Sequence, residues 1–447
     1  MSRSQAWQAD ERPGAGQVAG ISNPAFAAMV PVVSIFTGML VLWSLVHVPP
    51  MMCVNDMSRW DTVWSLVHRG TYAIGTDAEP EPWGTIDKIK RDGAYYSSKP
   101  PLYPTVLAGE YWLLRKVTGW DMREQTEAVC RTLLITFNVI PLVGFVWLYG
   151  LFLGRHVRDP WARSFWLVGG ALGTYVTGYS VTLNNHSVSA WATMYALYFT
   201  ARILYDGDRR RVMFFLVGLS AAWASANEVP GILLLVGVLA ILGWRAGPRT
   251  WAYALPPALV ILAAEVYTNS LAFGTIVPVY FLKDTELYHY PGSYWNSPQG
   301  IDAQHEPKLV YALYSSFGHH GIFSLTPILC FAAVSWVLFL CGKNRQVPEL
   351  QWLAMLISVG VYAAYVLHSE QNYGGGCKGF RWMFWTIPLY LISAPLGAEH
   401  YSRSRLVRAL AYVALGISLW TVFDALGGPW GSSWLHVIYS DLGIINY

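Results

Sequence analysis

Residues 27–48, AAMVPVVSIFTGMLVLWSLVHV, run through PPMMCV into NDMSRW, residues 55–60. The first segment has the length of an apolar helix that crosses a bilayer, for which about 20 residues are needed. The last segment places an acidic residue, Asp56, and a basic residue, Arg59, at the point where that helix leaves the hydrocarbon. Charge beside lipid is costly unless it has a partner or a function. This junction predicts a membrane protein with a polar cluster at the water boundary.

The same type of apolar run recurs along the chain. Of its 447 residues, 54% are hydrophobic and 13% are charged, about half the charged fraction of a water-soluble domain. Eleven runs predict an all-α integral membrane bundle, with spans at 27–48, 129–152, 164–182, 187–205, 212–226, 229–244, 251–272, 321–341, 351–368, 382–397 and 406–425. The first span is too long for a cleaved signal peptide, so we read it as an anchor. We expect a disordered N-terminus over 1–26, a membrane domain over 27–427 and a short tail over 428–447.

Clusters of Lys and Arg mark one side of this bundle. They fall in five connections that the span count places together, at residues 155–163, 209–211, 245–249, 343–345 and 403–408. Cytoplasmic loops carry the excess of such residues. We therefore predict a protein of the cell inner or plasma membrane, with its N-terminus cytoplasmic and its C-terminus extracytoplasmic. The long outer loops are then 49–128 and 273–320, and the amphipathic segment 102–118 is expected to lie in the membrane interface.

The other concentrated polar residues fall on connections of the outer side. They are Asn55-Asp56 with Arg59, Lys99, Asn184-Asn185-His186, Asn227-Glu228, His319-His320 and Lys378 to Arg381. Polar chemistry gathered on one face predicts a reaction or binding centre there. A transporter would instead carry ionisable residues near the bilayer midplane, and the centres of the predicted spans are nearly free of them. A non-enzymatic transporter or binder of lipid-linked sugars nevertheless stays open as the alternative.

Five motifs carry a resemblance to a known family. They are NDMSRW at 55–60, SSKPPL at 97–102, NSLAFG at 269–274, GIFSLTP at 321–327 and YGGGCKGFR at 373–381. In order and placement they resemble the GT-C glycosyltransferases that use polyprenyl-phosphate sugars, such as aminoarabinose lipid A transferases and protein O-mannosyltransferases. The resemblance implies a GT-C-like bundle whose first outer loop carries juxtamembrane helices. It also implies an inverting transfer from a polyprenyl-phosphate sugar to an acceptor glycan, lipid or protein on the extracytoplasmic face.

The chemistry of such a transfer suggests roles for the polar residues. A base must take the acceptor proton, and cations must hold the phosphate as negative charge builds on it. Asp56 is the candidate general base, although an Asp also favours the N-cap of a helix that starts at Met57. The candidate phosphate ligands are Arg59, Lys99, Lys378 and Arg381. Their alternative partners are lipid headgroups or the carboxylates of Asp61, Asp92 and Glu370.

Further residues are candidates for sugar or acceptor binding: Asn55, Tyr96, Asn185, His186, Glu228 and His320. Glu228 departs from the family, which often has a basic residue before this proline. Gly374-Gly375-Gly376 could place amide groups around an anion, and a flexible turn is the alternative.

The sequence gives little indication of a cofactor, a metal ion or a disulfide. No cofactor is required by the proposed chemistry, and a divalent metal is possible but not indicated, because His319-His320 lacks a complete partner pattern. The five cysteines show no C-x-x-C spacing. Cys53 and Cys377 could pair on the outer face, with ordinary buried thiols as the alternative. There is no long basic tract that would favour nucleic acid as a partner.

Overall fold

The computed structural model describes residues 23–368 and 372–446. Its first helix, α1 (Pro24–His47), begins where the Asn23 side chain accepts hydrogen bonds from the amides of Ala25 and Phe26. The helix therefore starts three residues before the predicted span. The rest of the predicted disordered N-terminus, residues 1–22, lies outside the described residues.

The first outer loop contains two helices and three short strands before the next long helix. In chain order these are α2 (Val54–His68), β1 (Ala73–Thr76), β2 (Lys88–Arg91), β3 (Ala94–Ser97) and α3 (Leu102–Thr118). The following helices are α4 (Thr126–Leu134), α5 (Ile140–His156), α6 (Pro160–Leu172), α7 (Tyr175–Gly178), α8 (Asn185–Leu204), α9 (Arg211–Asn227) and α10 (Ile232–Ala246). A π-helical turn, Ile135–Val139, joins α4 to α5.

The remaining helices continue to the C-terminus of the described chain. They are α11 (Pro248–Tyr253), α12 (Leu255–Phe273), α13 (Lys308–Ser316), α14 (Ile322–Leu325), α15 (Cys330–Leu340), α16 (Pro348–His368), α17 (Ile387–His400), α18 (Arg405–Leu426) and α19 (Trp434–Asp441). The second outer loop has little regular structure besides α13 and three 3₁₀ turns.

The chain is a helical membrane protein, but the expected count of eleven crossings is not supported. Among the described residues, six helices are long and apolar enough to cross a membrane: Pro24–His47, Thr126–His156, Val229–Ala246, Leu255–Phe273, Pro348–His368 and Arg405–Leu426. The other predicted spans form helices that are shorter, broken or more polar. The span predicted at 164–182 ends as a helix at Leu172, and the one at 321–341 is broken before Pro327. Short apolar runs also form helices buried inside a bundle, so apolar length alone overestimates crossings.

The bundle surface has the composition expected of a lipid-facing one. Large apolar side chains are exposed around it, including Trp43, Trp244 and Leu406. The interior helices pack closely, and a Cβ added at Gly218 of α9 would lie 1.9 Å from the carbonyl oxygen of Ala254. Only glycine allows these two backbones to approach so closely.

A small antiparallel sheet, in the order β1-β3-β2, accompanies the helices, and the expected all-α class describes the bundle itself. Asp92 and Gly93 join β2 to β3 with φ values of 52° and 78°, the left-handed conformations of a two-residue hairpin turn. Ile89 of the sheet is buried with Val279 and Tyr288 of the second outer loop. The Lys90 amide donates to the Leu287 carbonyl at 2.9 Å. The two outer loops therefore lie together at one end of the bundle.

The basic turns lie at the other end. Helix α8 has 20 residues and is therefore about 30 Å long, and its last turn carries Arg202. The Arg202 side chain contacts Asp206 at 3.3 Å and Asp208 at 2.8 Å, and Arg155 contacts Asp206 at 3.5 Å. Arg245 pairs with Glu349 in the same manner. The outer loops and the basic clusters are thus separated by the length of a helix.

Candidate functional site

Asp56 lies in the first turn of α2, fully buried. The helix begins at Val54, not at Met57, so Asp56 is its third residue and reaches back to the chain before it. Its carboxylate accepts hydrogen bonds from the amides of Met52 and Cys53 at 2.9 and 3.0 Å and from Thr182 Oγ1 at 2.8 Å. Burial raises the pKa of Asp56 to about 6, although these three donors oppose the rise. Asp56 therefore caps the helix from its third position, with Cys53 and not Asp56 as the N-cap residue, and its carboxylate has a pKa of about 6.

Arg59 follows one turn later on α2 and is 1% exposed. Its guanidinium donates to the Asn55 carbonyl at 2.8 Å and to Asn55 Oδ1 at 2.5 Å. The other terminal nitrogen donates to Asn185 Oδ1, at the start of α8. Within the described part of the chain, the hydrogen bonds of this buried arginine are thus all to neutral oxygens.

Asn55 connects this arginine to the end of the sheet. Its Nδ2 donates to Asp87 Oδ2 at 3.1 Å, and the Lys99 ammonium lies 2.5 Å from the same oxygen. Burial lowers the pKa of Lys99 to about 8, with Asp87 opposing the change. Burial alone would raise the pKa of Asp87, but the Lys99 ammonium outweighs it, so that pKa lies below its usual range.

The N-terminus of α8 and the connection between α9 and α10 meet at Glu228. Asn185 Nδ2 donates to Glu228 Oε1 at 2.6 Å, and His186 Nδ1 contacts the same oxygen. Burial raises the pKa of Glu228 to about 8, against the attraction of the Arg381 and Arg59 charges. Burial, with the same two charges, also holds the pKa of His186 well below its usual value. Both residues are therefore close to the neutral form over much of the physiological range.

Arg381 follows the Gly-rich segment and is 8% exposed. It donates to the Gly374 carbonyl at 3.0 Å through Nε and to His186 Nε2 at 2.9 Å through Nη1. Because an arginine can only donate, His186 Nε2 is the acceptor and its proton lies on Nδ1, facing Glu228. The guanidinium carbon lies 5.0 Å from the centre of the Trp430 ring, a cation–π distance.

The Gly-rich segment presents a carbonyl to this arginine, not amides to an anion. The amides of Gly374 and Gly375 donate to Asn372. Gly374 has φ of 102°, a conformation that side chains other than glycine's rarely adopt. Of the two alternatives, amides around an anion or a turn, the amides of Gly374 and Gly375 form a turn with Asn372, and the Gly374 carbonyl positions Arg381.

The tail residue Trp430 closes the site on the side of Asp56. Its indole Nε1 donates to Thr182 Oγ1 at 3.1 Å, and Thr182 in turn donates to Asp56. Asn138, in the π-helical turn, donates to the carbonyls of Ser180 and Thr182 at 3.0 and 2.8 Å. We call the connected set the polar network: Asp56, Thr182, Trp430, Arg381, His186, Glu228, Asn185, Arg59, Asn55, Asp87 and Lys99.

Three residues proposed from the sequence lie outside the polar network. Lys378 donates to Asp424 Oδ1 at 2.7 Å and to the Asp424 carbonyl at 2.8 Å, a partner that the sequence did not suggest. Tyr96 lies in β3, with the Arg91 guanidinium 5.0 Å from its ring. His320 stacks on Tyr373, with ring centres 4.8 Å apart. Cys53 and Cys377 are free thiols, and Glu370 lies outside the described residues.

Sequence reasoning missed four members or supports of the network: Asn138, Thr182, Asp87 and Trp430. Trp430 follows Gly-Gly-Pro and precedes Gly431, and such turn residues around an aromatic signal a fixed loop. Thr182 lies two residues before the selected Asn184. Nothing local distinguishes Asp87 from the other acids of its loop.

Two cavities lie in the bundle, and neither is lined by a member of the polar network. The smaller, of about 220 Å³, is lined by Pro100, Val229, Asn269 and Tyr280 among others, and Pro100 and Val229 directly follow Lys99 and Glu228. The larger, of about 560 Å³, is almost wholly apolar and is lined by residues of α5, α8 and α9, including Trp191 and Trp223. Trp223 lies one helical turn before Asn227, whose carbonyl accepts a hydrogen bond from Asn185 Nδ2 at 2.9 Å.

Comparison with models of known protein families and with curated proteins finds no significant match. The resemblance to GT-C glycosyltransferases therefore rests on the sequence motifs alone.

Proposed function

We propose that this protein is a membrane glycosyltransferase that transfers a sugar from a polyprenyl-phosphate donor to an acceptor on the extracytoplasmic face. The observation that carries the proposal is the environment of Arg59 and Arg381. Within residues 23–368 and 372–446, neither guanidinium forms an ion pair with a carboxylate, and both are buried beside Asp56 in one network. Buried cations are usually paired. A phosphate would supply the missing anion, and arginine matches its geometry.

Asp56 is the proposed general base. Its raised pKa makes it a better proton acceptor than an ordinary aspartate while it remains ionised at neutral pH. It takes the proton of the acceptor hydroxyl or amine as that atom attacks the anomeric carbon. The bond from this carbon to the phosphate oxygen breaks in the same displacement, so configuration inverts.

The leaving polyprenyl phosphate gains negative charge in that step. Arg381, Arg59 and Lys99 are the cations proposed to stabilise it. Lys99 pairs with Asp87, but that pair lies in the polar network with Asn55 and Arg59. Lys378 is left out of this clamp because it lies outside the network, where Asp424 holds its ammonium. Asn55, Asn185 and His186 contact the two arginines, and Glu228 contacts Asn185 and His186. All four are proposed to meet sugar or acceptor hydroxyls.

The apolar cavity supports a lipid-linked donor in particular. A polyprenyl phosphate joins an anionic head to a long apolar tail, and the tail is proposed to lie in the apolar cavity of about 560 Å³ lined by α5, α8 and α9. A free nucleotide sugar would have no use for such a cavity. The acceptor glycan, lipid or protein would approach through the outer loops.

The direct test uses purified protein in detergent. Lipids that copurify are extracted and identified by mass spectrometry, and polyprenyl-phosphate sugars are then supplied with candidate acceptors. A bound donor and a transferred sugar support the proposal. A donor that binds and leaves unchanged would make the protein a binder or transporter of lipid-linked sugars, and the absence of any polyprenyl lipid would contradict both functions.

The proposed orientation places the polar network outside the cell membrane and the basic turns in the cytoplasm. Single cysteines at Asp77 and Arg209, both exposed, test it in a variant without the native cysteines. An impermeant maleimide should label Asp77→Cys in intact cells and Arg209→Cys only after lysis. The reverse pattern would contradict the orientation.

A further inference from the structure

Three histidines, His319, His320 and His436, lie close together outside the polar network. Only the first two were identified from the sequence. His319 and His320 end the second outer loop, and His436 lies in α19 of the tail. Each is buried, and one ligand atom from each lies within 4.8 Å of the other two. The third histidine comes from a part of the chain 116 positions away from His320, so its presence depends on how the tail folds.

The arrangement of the rings suits a shared ligand. The planes of His319 and His320 meet at 82°, those of His319 and His436 at 90°, and those of His320 and His436 at 88°. Rings that are mutually perpendicular can direct nitrogen lone pairs to a common point, whereas three stacked rings cannot.

A second layer of contacts surrounds the trio. His320 stacks on Tyr373, and the Tyr373 hydroxyl donates to the Glu306 carboxylate. Ser433 Oγ donates to the His319 carbonyl at 2.6 Å and accepts from the His436 amide at 3.1 Å. The backbone of His319 and His436 is thus held in place. The Glu306 carboxylate, which bonds Tyr373, could balance the positive charge of a bound ion.

We propose that His319, His320 and His436 bind one divalent transition-metal ion of the zinc type, with water completing a tetrahedron. Zinc takes imidazole nitrogen at about 2.0–2.1 Å, so a shared ion would take the place of the hydrogen bond that joins Nδ1 of His319 to Nδ1 of His320. Calcium and magnesium require oxygen ligands and do not fit. The site revises the expectation that His319-His320 has no complete partner pattern for a metal.

The metal holds the tail against the outer loop. Three residues before Ser433, Trp430 lies over Arg381 and donates to Thr182. The neighbouring Pro429 and Gly431 bond the Gly-rich segment through the Lys378 amide and the Gly376 carbonyl. A metal at His436 would therefore restrain the segment that closes the polar network, without itself touching the reacting groups.

The test uses the full chain, purified without a polyhistidine tag, so that the trio is not masked by added ligands. After incubation with Zn²⁺ and gel filtration, elemental analysis should give about one zinc per chain. Co²⁺ should give the visible absorption of a tetrahedral site. His436→Ala should lower zinc content at least fivefold, whereas His47→Ala, which removes an exposed histidine of α1, should leave it unchanged.

Hydrogen exchange tests the role of the metal. Zn²⁺ should slow exchange over 434–441 in the natural protein and have no effect in His436→Ala, and Mg²⁺ should have no effect in either. The Co²⁺ spectrum and the exchange of the natural protein need no variant, so a His436→Ala protein that fails to fold does not prevent the test. Less than one zinc in ten chains, or equal zinc in His436→Ala and the natural protein, would overturn the site. These readouts are independent of sugar transfer.

Discussion

The two ends of α8 hold their charges in opposite ways. At its C-terminus Arg202 contacts Asp206 and Asp208, and Arg210 contacts Asp208 at 2.7 Å while its side chain is 68% exposed. At its N-terminus Arg59 and Arg381 are buried and are held by amide oxygens, a carbonyl and an imidazole. The first arrangement is complete without a ligand. In the arrangement at the N-terminus, two buried cations form hydrogen bonds only with neutral acceptors among the described residues.

The difference separates a structural role from a functional one. Exposed ion pairs contribute little to stability, typically up to about 1 kcal/mol. Buried guanidiniums without carboxylate partners leave charge that an anion could neutralise. The polar network should therefore govern ligand binding and turnover, and the basic end should govern neither.

The largest effect is expected at Asp56. Asp56→Asn keeps the size of the side chain and removes the base, so transfer should fall by a factor of about 10²–10⁴, the usual contribution of a general base. The measurement is the initial rate of sugar transfer at saturating donor. Donor binding should change little.

Asp61→Asn is the matched control. Asp61 lies on the same helix, is equally buried and accepts from the Trp83 amide at 3.2 Å, an interaction that asparagine preserves. Among the described residues, Asp61 forms no hydrogen bond or ion pair with a member of the polar network. Equal losses in the two variants would mean that the helix tolerates neither change and would remove the evidence for a base.

The second effect compares two cations of one segment. Arg381→Ala should weaken donor binding about 10- to 100-fold, as expected when a charge-assisted hydrogen bond of 1.5–3 kcal/mol is lost. Lys378→Ala, three residues earlier, should change donor affinity less than threefold, because Asp424 and not the ligand holds its ammonium. Isothermal titration or competition with a polyprenyl phosphate measures both. A larger effect at Lys378 would reverse the assignment.

Sequence reasoning located the helices well where apolar runs are continuous. The spans predicted at 351–368 and 406–425 correspond to Pro348–His368 and Arg405–Leu426. It overestimated the number of crossings because several apolar runs form helices shorter than a membrane span, such as Pro160–Leu172 and Cys330–Leu340. The hairpin was missed although Asp92-Gly93 is a strong turn signal, since the acidic and basic residues around it suggested only a loop.

The residues of the candidate site also divide into those that the sequence could locate and those that it could not. Asn55, Asn185, His186, Glu228 and Arg381 lie in or beside short turns at helix ends, where the end of the helix fixes their position. Asp87, Trp430 and His436 lie in long loops or the tail, whose position depends on tertiary packing. Lys378 was assigned with Arg381 because the two are close in sequence, but their side chains point to different partners.

The third effect concerns pH. Transfer should require Asp56 ionised and Lys99 protonated, so kcat/KM should fall about tenfold per pH unit below about 6 and above about 8. Lys99→Arg should move the alkaline fall upward, because arginine stays protonated. The measurement is the pH profile of kcat/KM for the donor.

Glu228 also titrates near pH 8 and approaches the same network, so it provides the control. Its ionisation would place negative charge near the donor phosphate and weaken binding in the same range. Glu228→Gln should leave the alkaline fall in place if Lys99 governs it. A profile that moves with Glu228→Gln and not with Lys99→Arg would transfer that role to the glutamate.

The smallest effect is expected at the basic end. Arg245 pairs with Glu349, and the Arg245 side chain is 42% exposed. A double-mutant cycle of Arg245→Ala and Glu349→Ala, followed by thermal unfolding in detergent, should give a coupling of about 1 kcal/mol or less. Neither variant should change donor affinity, because the pair lies at the end of the bundle away from the polar network. A tenfold change in donor binding would mean that the two ends are coupled, and the separation between a structural and a functional end would then fail.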